Sequence, residues 1–175
     1  MTQKQFYDWQ TMGGSKDVSA LVQSLEEREI SWCMIGGLAV NHWAEEPMAT
    51  ADVVLVIVTK QLDAAVEAFQ SLGFSREEFA HSVNLKGQSK VSIQITTAEF
   101  YQEFPSRAVP ADVHGMLMRV ASVEDTLAGK IAAFSDSSRR PSKRQKDLAD
   151  ISRLLESHPH LQQLIPAEVL SKLIF

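Results

Sequence analysis

Two apolar runs interrupted by a glycine pair, Trp32 to Val58, constrain this chain more than any other stretch. Trp32-Cys33-Met34-Ile35 is a short apolar run that breaks at Gly36-Gly37, and Leu38 to Glu46 has the length of a helix. Ala51 to Val58 is dense in β-branched residues and reads as a strand carrying one carboxylate, Asp52. Strand, glycine pair, helix and strand in that order form a unit able to bring backbone close to a phosphate. A glycine pair also serves simply to end a strand where the chain must bend sharply.

The flanking sequence supplies the rest of a domain. Residues 1–15 are polar with Phe6, Tyr7 and Trp9 interspersed, an arm whose rings would cover the domain body. Ser15 or Asp17 caps a helix running to about Arg28, with Val18, Leu21, Val22 and Leu25 at helical spacing. Gln61 to Leu72 is a second amphipathic helix closed by Gly73. Ser82 to Leu85 and Lys90 to Thr97 are short strands around a Lys86-Gly87-Gln88-Ser89 turn, and Met116 to Val120 is the last strand. Between them, Ala98 to Phe104 reads as a short helix, and Pro105 and Pro110 bound a loop around Arg107. Ser122 starts a helix through Phe134. A polar loop with Arg139, Arg140 and Lys143 leads to a helix from about Arg144 to Glu156 with an acidic start, and Pro166 to Ile174 forms a last helix. The expected fold is therefore α+β: a mixed sheet of about four or five strands flanked by helices. Its parts are an arm (1–15), an α/β core (16–121) and C-terminal helices packed on it (122–175).

Composition narrows function. A net charge of −5 argues against general nucleic-acid binding, which neutralises many phosphates, and leaves room for local basic patches. The one cysteine, Cys33, excludes an internal disulfide or a cysteine-rich zinc site. The five histidines show no metal-ligand spacing. No run is long and apolar enough to span a membrane, and the N-terminus lacks the apolar core of a secretory signal, so a cytoplasmic location is expected.

Gly36-Gly37 followed by Thr50-x-Asp52-x-Val54 resembles the signature of the nucleotidyltransferase superfamily, the DNA polymerase β-like fold. The C-terminal half extends the likeness. Lys130 within Val120 to Ala133, then Arg144-Gln145-Lys146-Asp147-Leu148-Ala149-Asp150-Ile151, is similar to the minimal nucleotidyltransferases, some of which belong to bacterial toxin-antitoxin pairs. The resemblance implies that Gly36 and Gly37 approach a nucleoside triphosphate. It further implies that Thr50, Lys146 and Asp147 flank that ligand, that Asp52 holds Mg²⁺, and that Asp52 and Lys130 are the catalytic groups. Carboxylates at i and i+2 of a strand share a face, which suits one hard cation.

The departures from the family pattern are as informative as the matches. The second carboxylate position reads Val54, and the candidate third strand places Ser92, Gln94 and Thr96 on one face with no acid among them. Met48 stands where some minimal members have an arginine. Glu45, Glu46 and Glu99 are the acids that a changed architecture would have to supply. Removing one well-placed electrostatic stabiliser typically costs about 10²–10³-fold in rate. The expected function is accordingly a nucleotidyltransferase-fold protein that binds a nucleotide or a protein partner, with Mg²⁺ weak or absent and little or no transfer. The alternative is an active Mg²⁺-dependent enzyme that moves a nucleoside monophosphate from a nucleoside triphosphate to a hydroxyl or amine of a protein or small molecule. Other readings of single residues stay open: Asp52 paired structurally with Lys130 or an arginine, Lys130 snorkelling to the surface, Lys146-Asp147 as an exposed helix start, and residues 135–143 as a solvated loop.

Overall fold

The computed structural model describes residues 1–175. The expected arm folds as helix α1 (Gln3–Thr11), held at its start by a reciprocal capping box between Thr2 and Gln5. Of its three aromatics only Tyr7 is buried; Trp9 is 74% exposed and Phe6 39%. Helix α2 (Gly14–Glu27) follows at once and is capped by the backbone of Gly13 rather than by Ser15 or Asp17. Ser15 is buried instead, and the Asp17 carboxylate accepts from the backbone N–H and hydroxyl of Ser89, tying α2 to a distant turn.

Strand β1 (Trp32–Ile35) runs into Gly36 and helix α3 (Gly37–Trp43), and strand β2 (Val53–Ile57) returns antiparallel to β1 with Ile35 beside Val54. Helix α4 (Leu62–Ser71) crosses over to the hairpin of β3 (Ser75–Phe79) and β4 (Ser82–Lys86), which leads to β5 (Ile93–Thr96). Strand β5 pairs parallel with β2, placing Gln94 beside Val54. Helix α5 (Phe104–Arg107) and strands β6 (Val109–Val113) and β7 (Met116–Val120) complete a seven-stranded sheet ordered β3-β4-β5-β2-β1-β7-β6. Helices α6 (Val123–Ser135), α7 (Pro141–Ser157) and α8 (Ala167–Leu170) close the chain.

The α+β class and mixed sheet are as expected, but the strand number exceeds four or five. Strand β3 has no apolar alternation and is exposed throughout, and it exists because β4 supplies its hydrogen bonds. Strand β6 contains Pro110, yet it is an edge strand, where a missing N–H costs nothing. His114 and Gly115, at φ 53° and 77°, make the two-residue turn that joins β6 to β7.

Alternation along β1 and β2 divides the core. Trp32, Met34, Val53, Leu55 and Ile57 face α2 and α4 in the main cluster, whereas Cys33, Ile35 and Val56 face α5 on the other side. A separate cluster of Val40, Leu127, Ile151, Leu154 and Leu161 joins α3 to α6 and α7. That third cluster stands the C-terminal helices over the glycine pair and leaves a cleft between them and the sheet.

Candidate functional site

The cleft has a sheet wall and a helical wall. Along the sheet wall lie Gly36, Gly37, Thr50, Asp52, Val54, Ser92, Gln94 and Thr96; along the helical wall lie Thr126, Lys130, Arg139, Lys143, Lys146 and Asp147. Every residue singled out from the sequence, namely Gly36, Gly37, Thr50, Asp52, Lys130, Lys146 and Asp147, lines this one cleft of about 240 Å³. Glu45, Glu46 and Glu99 do not.

Gly36 occupies φ 79°, ψ −154°, a conformation closed to side-chain-bearing residues, and caps α3. A Cβ there would lie 3.2 Å from Val54 Cγ2, and one on Gly37 would lie 3.2 Å from Thr50 Oγ1. Both glycines are thus needed for the close approach of β1, β2 and the strap that precedes β2. Asp52 sits one residue ahead of β2, exposed at the cleft mouth, and takes part in no ion pair. A structural partnership with Lys130 is therefore not what holds it.

Lys130 has a different set of neighbours. It is 8% exposed, and its Nζ lies 3.2 Å from Asp147 Oδ1 and 2.8 Å from Asp150 Oδ2. Asp147 also accepts from Arg139 (Nε to Oδ2, 2.6 Å), and Asp150 accepts from Arg153 (Nη1 to Oδ1, 2.9 Å). Arg153 continues across to the strap, donating to Asn41 Oδ1 at 2.7 Å and to the Glu46 carbonyl at 2.6 Å. Asn41 in turn clamps Met48 through both backbone groups, at 2.6 and 3.0 Å. Three cations thus face two buried carboxylates, and the surplus positive charge stays beside the cleft. Lys143 and Lys146 line the same wall with no carboxylate partner, and of the three carboxylates at the cleft Asp52 is the one without a cationic partner.

Helix α7 begins three residues earlier than expected, at Pro141, and its first turn contains no acid. Lysines beside a helix N-terminus oppose the macrodipole unless an anion lies between them. The sequence reading overlooked Tyr101, Asp125 and Thr126, which also line the cleft. Asp125 looked like an ordinary helix-start acid, but it is buried and forked to Arg107 at 2.8 and 3.0 Å. Burial pushes the Tyr101 phenol above its ordinary value, so it stays a neutral hydroxyl.

A family model described as AbiEii, the nucleotidyl transferase AbiEii toxin of a type IV toxin-antitoxin system, matches residues 39–174, more than three quarters of the chain. The chain belongs to the AbiEii nucleotidyl transferase family. Solved structures agree in fold. ANT(2'')-Ia in complex with adenylyl-2''-tobramycin superposes with a TM-score of 0.65 at 15% identity, over 89% of this chain and 95% of that one. The lincosamide antibiotic adenylyltransferase LnuA, lincomycin-bound, gives 0.54 at 11% identity over 79% and 96%. JHP933 from Helicobacter pylori gives 0.54 at 14% over 90% and 69%. No curated protein matches the sequence.

The divalent ion that this superfamily implies is poorly matched by the donors of this AbiEii member. Asp52 is the one carboxylate on the sheet wall; Val54 offers no oxygen, and Ser92, Gln94 and Thr96 offer only neutral ones. No three acidic, histidine or cysteine side chains converge anywhere in the chain. Mg²⁺ is usually held by one or two carboxylates with water and substrate phosphates completing its octahedron, and on the sheet wall Asp52 is the one carboxylate that could take that place.

Proposed function

We propose that the protein is a nucleotide-binding member of the AbiEii family that holds a nucleoside triphosphate in the cleft and transfers little or nothing from it. The observation that carries this reading is the asymmetry of the two walls. The helical wall presents Lys143, Lys146 and the surplus charge of the Lys130 cluster, whereas the sheet wall keeps Asp52 and has Val54 and Gln94 side by side. Gly36 and Gly37 admit phosphate to the backbone, the lysines neutralise it, and Lys130 fixes α6 against α7 so that the lysines stay in place. The family description as a toxin of a toxin-antitoxin system makes an antitoxin the protein partner to look for.

Calorimetry with ATP, GTP, CTP and UTP in the absence of divalent metal tests the binding. Lys146→Ala should weaken it about tenfold, as losing one charge-assisted hydrogen bond does. Transfer of labelled nucleoside monophosphate should be negligible for the wild type with Mg²⁺ and should rise on joining Val54→Asp with Ser92→Asp or Gln94→Asp. Robust wild-type transfer to a hydroxyl or amine, abolished by Asp52→Ala, would establish the active-enzyme alternative instead.

A further inference from the structure

One hydroxyl at the cleft has no task inside the protein. Strand β5 ends at Thr96 and leads to a 3₁₀ turn, Glu99–Tyr101, whose last residue lines the cleft together with Thr96. Tyr101 is partly buried, yet its hydroxyl forms no hydrogen bond with another residue. Unlike the His114 Nδ1, which is unpartnered and sealed from solvent, this hydroxyl is not enclosed.

The ring that carries it is fixed in place. Phe100 and Phe104 meet it edge-on, with centroids at 4.9 and 5.3 Å and interplanar angles of 88° and 81°. Phe104 is itself buried, and Gln102 ties the turn to the end of β2 by accepting from the Thr59 backbone N–H at 2.7 Å and from its hydroxyl at 2.9 Å. The far end of the ring reaches helix α6: a Cβ on Gly129 would lie 3.5 Å from Tyr101 Cε1, the carbon next to the one bearing the hydroxyl. Tyr101 therefore spans from the sheet wall to the helical wall.

Its surroundings select what the hydroxyl can meet. The charges that act on it are those of Arg139, Asp147 and Asp136. Asp147 already accepts from Lys130 and Arg139, and Asp136 from Ser138, so both acids are engaged elsewhere. A neutral O–H beside Arg139, in a cleft that also holds the unpaired Lys143 and Lys146, is a donor in search of an anionic oxygen.

We propose that Tyr101 is a ligand-binding residue of the cleft, its hydroxyl donating to a phosphate oxygen of the bound nucleotide. The assignment rests on the nucleotide reading and adds to it a directional contact. A lysine ammonium on its flexible stem neutralises charge in many geometries, whereas a phenol on a locked ring fixes where the phosphate chain lies.

Calorimetry on the full-length wild type and Tyr101→Phe, with ATP and with inorganic tripolyphosphate in the absence of divalent metal, tests this. Phenylalanine keeps the ring and its edge contacts, so the thermal midpoint should not move. Both probes should bind the variant about tenfold more weakly, the usual loss of one hydrogen bond to a charged group. Weakening of ATP alone would place the hydroxyl at the ribose or base, and unchanged affinity for both probes would leave it no ligand; either result overturns the proposal. Wild-type binding of ATP without tripolyphosphate would do the same while leaving the nucleotide reading intact. If the wild type binds neither probe, the nucleotide reading falls as well, so the wild-type titrations tell the two failures apart.

Discussion

At Gly36 one missing methyl group decides whether the cleft exists. Its φ of 79° with ψ of −154° is essentially reserved for glycine, and an added Cβ would press to within 3.2 Å of Val54. Gly36→Ala should destabilise the fold by about 2 kcal/mol, the usual cost of such a backbone conformation. Adding Val54→Ala should recover little, because the strain lies in the backbone and not in the contact. Urea denaturation of the single and double variants checks this, and full recovery in the double variant would mean that the contact dominates. Val54 itself is instructive at this scale. Its side chain fills the space beside Gly36, and at the position where the resemblance leads one to expect a second carboxylate it offers no oxygen.

At the scale of elements, the α6–α7 pair is organised by Lys130. Its ammonium joins Asp147 and Asp150, both on α7 and both 1% exposed, while Arg139 and Arg153 each bind one of those carboxylates from the other side. Breaking such a pair leaves charge buried without compensation, so Lys130→Met should cost about 3 kcal/mol in a denaturant titration. Lys146→Ala, at a partly exposed lysine with no ion-pair partner, should cost under about 0.5 kcal/mol. Equal costs for the two substitutions would show that the Lys130 cluster does not hold the helices. The same chain of contacts runs from Asp150 through Arg153 to Asn41 and the strap, so the helices that line the cleft also brace the approach to Asp52.

At the scale of the whole molecule, stability should depend on pH through His114. Burial lowers its pKa below the ordinary histidine value, only partly opposed by Asp112. In the window between that lowered value and the unfolded value of about 6.5, the unfolded chain binds a proton that the folded one does not. Stability is therefore present above about pH 6.5 and is lost as the pH falls through the folded pKa. His114→Asn, a residue that tolerates the positive φ of this turn, should flatten the decline in thermal midpoint between about pH 7 and 5. His42, also lowered by burial, should leave a residual slope. An unchanged slope in the variant would remove His114 from the account.

The sequence by itself determined the central unit and the residues of the cleft. The glycine pair and the lone carboxylate of Asp52 are local signals, whereas Thr50, Lys130, Lys146 and Asp147 were named through the resemblance of the motifs around them to the nucleotidyltransferase superfamily. The mixed α and β character followed from the same signals, since helical and strand periodicities alternate along the chain. Strands β3 and β6 were not legible: one lacks apolar alternation and the other contains a proline, and both are strands only because a neighbour pairs with them. Nor could local pattern say that Asp125 would fork to Arg107. Tertiary structure alone decided the partners of the charges. Lys130 went to Asp147 and Asp150 while Asp52 stayed free, because ion pairing depends on which groups the packing of the helices over the sheet brings within a few ångströms, and spacing along the chain does not encode that distance.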